Sequence, residues 1–218
     1  DLHSTSRRQR QMCIRDRRYT LDGSEPTEES FLYKHPFSLN KTTQVKARGF
    51  KEGYHPSRVL SIIALKAELK DALSVHPVQN GVTYKYFEGN YQKVTDIEKT
   101  PLLRTGVLSK PSIQGASRTD HFGYIFSGLI KVPENGVYTF QTSSDDGSVL
   151  YIDNELVVNN DGSHAAIPAT GFIALEKGFH SYKLYYFEDY EGEHLSWAWK
   201  LPSAETLVPI PSSVLYVE

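Results

Sequence analysis

Asp145 and Asp146 stand side by side, followed by Gly147, between two runs of strand character. Two adjacent carboxylates on a fixed turn form a donor set for a hard, oxygen-seeking cation such as Ca²⁺, or for sugar hydroxyls. The competing use is structural, because turn Asp side chains accept hydrogen bonds from backbone N–H groups. A second oxygen-rich stretch follows at Asn159-Asn160-Asp161-Gly162-Ser163-His164. If it lies at the same end as the Asp pair, Asn160 or Asp161 could complete a cation site and His164 could contact a ligand. The alternative is a turn, with His164 packing or capping.

A third acidic group, Glu188, Asp189, Glu191 and Glu193, lies in the run FEDYEGEH. Glycosidase chemistry needs two carboxyl groups about 5–9 Å apart across a cleft. Neighbours on an extended strand point to opposite faces, so Glu188 and Asp189 do not form such a pair. A solvated loop accounts for them better. Trp197 and Trp199 share a strand face, as do Tyr185 and Phe187. Such faces either stack sugar rings or fill the core between sheets, and the core is the favoured reading. No Ser-His-Asp or Cys-His arrangement, phosphate-cradling Gly loop or zinc-type spacing is present. No catalytic residue is therefore expected in this chain.

The elements that position these groups read as strands. In VYTFQTSSDDGSVLYID, Val137, Thr139 and Gln141 alternate with Tyr138 and Phe140, and Val149, Tyr151 and Asp153 alternate with Leu150 and Ile152. Period-two alternation predicts two strands. Asp145-Asp146-Gly147 between them predicts a hairpin turn, with Gly147 free to take positive φ. Further strands are expected at 82–87, 124–132, 171–175, 180–187 and 195–200. Turn signals separate them at Asn80-Gly81, Asn135-Gly136, Asp153-Asn154, Asp161-Gly162 and Lys177-Gly178. Strands at hairpin intervals with no helical period predict an all-β barrel or sandwich.

The chain has 218 residues, enough for one large or two modest domains. Its formal charge of −2 hides an asymmetry: residues 1–18 carry +4 and the remainder −6. A net-acidic body excludes nucleic acid as an expected partner. No apolar run approaches the ~20 residues of a membrane span. Cys13 is the single cysteine, so no intrachain disulfide can form. The chain opens on Asp1 without an initiator Met or signal peptide, and its start is expected not to be a natural one. Residues 1–18 show no periodicity, and Met12–Arg17 (MCIRDR) resembles adapter carry-over in translated reads. This segment is expected to be disordered or artefactual.

Two resemblances organise the rest. Tyr19–Thr27 (YTLDGSEPT), Tyr33, Pro36-Phe37, Val45–Arg48 and Gly53-Tyr54 resemble the fibronectin type III-like module of bacterial chitobiases and β-hexosaminidases. That implies a small β-module at 19–65, truncated at its start and acting as a spacer. Lys66–Pro77 reads as a linker. Gly128–Pro133, Gly136–Phe140, Ser144–Asp153, Gly171–Leu175, Leu184–Glu188 and Trp197-Ala198-Trp199 resemble the PA-14 domain. That resemblance covers 78–218 and implies a β-barrel-like sandwich on an exported, extracellular, periplasmic or cell-surface protein. In the adhesin branch of that family, two adjacent Asp joined by a cis peptide hold Ca²⁺, which holds sugar. The implied metal ligands here are Asp145 and Asp146. The implied carbohydrate-binding set adds Asn160, Asp161 and His164. The adhesin branch also carries a disulfide-rich specificity loop that this chain lacks. The expected function is a non-catalytic glycan-binding or active-site-framing region, with the catalytic domain of a parent hydrolase as its partner. The β-N-acetylhexosaminidase type is expected. A calcium-dependent lectin and a ligand-free spacer are the alternatives.

Overall fold

Alternating residues from Asp16 onward become antiparallel strands in the computed structural model, which describes residues 16–64, 66–77 and 79–218. The chain divides into two compact units between Lys66 and Ala67. The first holds β1 (Asp16–Thr20), β2 (Phe31–Leu32), β3 (Thr43–Phe50) and β4 (Leu60–Ala64), ordered β2-β1-β3-β4. β1 starts at Asp16, three residues upstream of the expected start of this module. Its register explains why: Arg17 and Arg18 pair with Gly49 and Arg48 of β3. The remainder of the segment expected to be artefactual, Cys13 included, lies outside the described residues. The unit is thinly packed. Tyr19 stacks on Phe37 at 4.7 Å, but Phe31, Leu60 and Ile63 are exposed.

The second unit carries β5 (Val82–Glu88), β6 (Leu102–Leu108), β7 (Phe122–Val132), β8 (Gly136–Asp145), β9 (Ser148–Ile152) and β10 (Glu155–Asn160). It continues with β11 (Ile167–Leu175), β12 (Gly178–Glu188), β13 (His194–Lys200), β14 (Val208–Pro209) and β15 (Leu215–Tyr216). Six strands run in the order β10-β9-β12-β7-β5-β6, and β15 joins the far half of β7. A second sheet runs β11-β8-β13-β14. The core between them takes Tyr138, Phe140 and Trp199 from the smaller sheet and Leu150, Leu184 and Tyr186 from the larger. Burying such aromatic and aliphatic side chains contributes about 1.5–3 kcal/mol each. Trp197 belongs to this core, its ring 5.1 Å from that of Tyr182. Tyr185 and Phe187 belong to the outer face of the larger sheet instead. There a second cluster forms from Phe87, Tyr91, Ile97 and Ile125 under the 3₁₀ turn Val94–Lys99. That cluster is why β9 buries Val149 on one face and Leu150 on the other.

Two expectations are corrected. The run VYTFQTSSDDGSVLYID is not a hairpin. β8 pairs with β11 and β13, whereas β9 pairs with β10 and β12, so Asp145-Asp146-Gly147 carries the chain from one sheet to the other. Gly147 does not adopt positive φ. Its missing side chain is needed because a Cβ there would overlap the Phe187 ring. The segment Lys66–Pro77 is not a free linker either. From Ala67 it belongs to the second unit. Lys70 N–H donates to Ala174 O at 2.8 Å, Glu176 N–H donates to Lys70 O at 2.9 Å, and Leu73 N–H donates to Phe179 O at 2.8 Å. An extended strap satisfies the open backbone groups around the β11–β12 turn, which outweighs the single helical turn that Leu69, Ala72 and Leu73 would have made.

Candidate functional site

The site is built at the corner where β8 leaves one sheet and β9 enters the other. Beneath it runs a seam of small polar side chains. Ser144 donates to Ser148 Oγ at 2.8 Å, and Ser148 donates to Thr142 Oγ1 at 3.0 Å. Asn160 Nδ2 donates to Ser144 Oγ and to Ile167 O, both at 3.0 Å. All four of these side chains are buried. Each is satisfied within the seam, so it locks the two sheets together without an unpaired polar atom. Asn160 is therefore spent inside the fold.

Above the seam, the Asp145–Asp146 peptide bond is cis. Asp146 is buried and faces three backbone amides. Its Oδ1 accepts from His164 N–H at 2.8 Å, and its Oδ2 accepts from Asp189 N–H at 2.7 Å and Tyr190 N–H at 3.3 Å. One carboxylate thus clamps two loops to the corner, charge-assisted at each contact. Asp145 is half-buried, and its Oδ2 accepts from Ala166 N–H at 3.1 Å. The loop 159–164 and the Asp pair do lie at one end of the second unit. Within it, Asp161 turns away: its Oδ1 accepts from Val94 N–H at 2.9 Å and anchors the 3₁₀ turn. His164 folds its ring back, with Nε2 3.1 Å from Asn160 O and Nδ1 3.1 Å from Ala165 O.

The residue that sequence reasoning missed is Glu188. It was expected in a solvated loop, yet it closes β12 and is fully buried. Oxygens of Asp145, Asp146 and Glu188 lie within 4.8 Å of one another. Glu188 Oε2 is 2.7 Å from Tyr186 Oη, which in turn is 2.6 Å from Asp145 O. The phenol has one proton. Tyr186 is the donor to both oxygens, so that proton serves either Asp145 O or Glu188 Oε2 at any moment. Burial is the main reason the Glu188 carboxyl is pushed up to about 8. The charges of Asp146 and Asp145 add to the rise, and its contact with Tyr186 opposes it. Glu188 Oε1 is buried without a hydrogen-bond partner. The signal was in the sequence: Tyr182, Leu184, Tyr186 and Glu188 continue one inward-facing alternation.

Charge at the rim is paired modestly. Asp189 Oδ2 accepts from Ser163 Oγ at 2.8 Å and from Gln92 Nε2 at 3.1 Å. Asp120 Oδ1 accepts from Glu191 N–H at 3.0 Å, which brings the loop before β7 to the same end.

Residues 78–212 match the family described as PA14 domain, and residues 15–63 match the family described as Fn3 associated. A β-hexosaminidase of Porphyromonas gingivalis is 26% identical over 213 residues, which is 91% of this chain and 27% of the relative. The chain therefore spans about a quarter of that relative's length. Among solved structures, the PA14 domain of the MpAFP antifreeze protein superposes with a TM-score of 0.55 at 14% identity. It covers 68% of this chain and 96% of its own. The Epithelial Adhesin 6 A domain of Candida glabrata, solved with Galβ1-3GlcNAc, superposes with a TM-score of 0.52 at 15% identity, covering 66% and 90% respectively. At these identities the structural matches speak to the fold.

Proposed function

This chain belongs to the PA14 domain family, and from that premise we propose that its second unit is a non-catalytic glycan-contacting module of a larger exported hydrolase. The observation that carries the reading is the convergence of Asp145, Asp146 and Glu188 at a loop-built corner, with the buried Glu188 Oε1 left without a partner. Carbohydrate contact is supported by the adhesin domain of the same fold that was solved with a disaccharide. A parent enzyme of β-N-acetylhexosaminidase type is supported by the Porphyromonas relative, of which this chain matches only a part. The parent's catalytic domain is then the covalent partner, and a cell-surface or periplasmic location follows from the substrate.

The donor chemistry fits Ca²⁺, which takes six to eight oxygen ligands. Asp145, Asp146 and Glu188 would hold it. When bound, the ion would supply open coordination positions for adjacent sugar hydroxyls. Asp146 would keep the 160–166 loop and the β12–β13 loop in place through its three backbone contacts, ion or no ion. His164 enters this reading through its backbone N–H, and Asn160 and Asp161 through the loop they brace.

Titration of the full chain with N-acetylglucosamine oligosaccharides by calorimetry, with and without EDTA, tests the reading. Binding that disappears on chelation supports the calcium-dependent corner. Binding that survives EDTA removes the ion but keeps the glycan. Absence of binding in both arms leaves a spacer. Asp145→Asn adds a stability readout: the wild type should melt higher in Ca²⁺ and the variant should not. An equal rise in both would reject Asp145 as a ligand.

A further inference from the structure

A separate cleft of 390 Å³ opens on the inner face of β5 and β6, at the edge of the larger sheet. Its volume is within the range of small-molecule sites. Register builds its floor. Tyr84 lies opposite Gly106 on β6 and Phe126 on β7, so these positions share one face. A Cβ at Gly106 would come within 2.9 Å of the Tyr84 ring. The glycine thus lets that ring lie down on the backbone, and the half-buried ring turns its other face toward the cleft. Tyr124, 6.0 Å away and tilted by 58°, closes the deep end.

The wall is the loop between β6 and β7, and it is fixed in place. Ile113 and Ala116 pack into the main core, and Ser117 N–H donates to Tyr86 Oη at 3.0 Å. Arg104 completes the site. Its guanidinium sits 4.7 Å from the centre of the Tyr86 ring and donates to Gly115 O. Two contacts therefore hold the group while donors remain to spare. Gln114 and Ser112 add an amide and a hydroxyl. No carboxylate lines the cleft, so nothing in it neutralises Arg104 or would hold a metal ion.

We infer that this cleft is a second sugar subsite, independent of any cation, that takes one pyranose ring bearing a carbonyl-type acceptor. Tyr84 supplies the face on which the C–H side of the ring stacks. Arg104 addresses the acceptor, an acetamido oxygen or a carboxylate. Gln114 and Ser112 reach ring hydroxyls. Because the cleft shares no residue with the corner, the inference stands whether or not the corner binds glycan.

The test is amide NMR of the full chain in EDTA, titrated separately with N-acetylglucosamine and with glucuronate. The expected result is a saturable shift of the Gly106 and Gly115 amides with at least one sugar. N-acetylglucosamine alone identifies the acetamido acceptor, and glucuronate alone identifies the carboxylate. Tyr84→Ala should weaken binding about tenfold, while Tyr84→Phe should bind as the wild type does. Arg104→Gln, at an exposed position that does not threaten the fold, should weaken it comparably. The inference is overturned by flat titrations with both sugars, by shifts centred on Ala166 and Asp189, or by wild-type binding in both Tyr84→Ala and Arg104→Gln.

Discussion

His180 shows how far a single buried ionisable side chain can be read. It is fully buried, with Nδ1 2.6 Å from Asp153 Oδ2 and Nε2 2.8 Å from Glu176 O. Both neighbours accept, so both ring nitrogens carry protons and the ring is an imidazolium. Burial works against that charge, but the Asp153 contact and the Glu176 carbonyl outweigh it, and the His180 pKa is raised above its usual 6.5. Asp153 is lowered: burial opposes its ionisation, but His180 and the Ser181 N–H and hydroxyl prevail. The sign follows from linkage. A raised histidine contributes its full stability below pH 6.5 and loses it as pH climbs through the folded value. The lowered aspartate contributes above its unfolded value and loses that only in acid. Urea denaturation should therefore give lower stability at about pH 8.5 than at about pH 6. His180→Gln should reduce that difference, and an unchanged slope would refute the imidazolium. Asp153 was legible as a turn residue, since Asp153-Asn154 closes the β9–β10 hairpin with positive φ at both positions. Its partner was not legible, because His180 stands 27 positions further along, on another strand, and nothing local to Asp153 points to it.

Among the elements, the long strands were the legible ones. β7 and β12 each run eleven residues with aromatic or aliphatic side chains at alternate positions; β7 is buried on both faces for most of its length, and β12 on the face of Tyr182, Leu184 and Tyr186. β6 gave no signal, because an edge strand with most of LLRTGVL exposed has no face to advertise. β10 was hidden by a register shift between Leu156 and Val158, which breaks period two at its centre. The misreading of the Asp-Asp-Gly corner has another cause. Local alternation fixes which face a residue takes, but not which strand it pairs with, and a turn signal serves a hairpin and a sheet crossing alike. The β10 irregularity also has an energetic consequence. It turns the Val157 carbonyl toward β11, where a Cβ at Gly171 would overlap it. Gly171→Ala should cost about 3 kcal/mol, the upper end for overpacking, because backbone rather than a pliant side chain must yield. Thermal or urea denaturation would show this, and a variant within about 0.5 kcal/mol of the wild type would refute the clash.

At the scale of the molecule, the two units differ in how they are built. The second has a continuous aromatic core and a buried polar seam. The first leaves its largest apolar side chains at least partly exposed. A fragment of residues 67–218 should therefore fold alone, with a melting temperature within about 3 °C of the main transition of the full chain. A fragment starting after Pro77 should melt lower, because it lacks the Lys70 and Leu73 backbone contacts and the 2.7 Å ion pair from Lys70 to Glu155. Equal melting of the two fragments would show that the strap is ornamental.

That strap fixes a polarity. It grips the β11–β12 turn, where Leu175 lies opposite Gly136, the first residue of β8. The last strand arrives at the same pole, with the Tyr216 ring 5.2 Å from that of Phe179. β8 then runs ten residues, about 30 Å at strand rise, before it reaches Asp145. The strap and the last strand of this unit thus both sit at one pole and the carboxylate corner at the other. Changes to the strap would therefore act a full strand length away from the corner and leave its carboxylate geometry untouched.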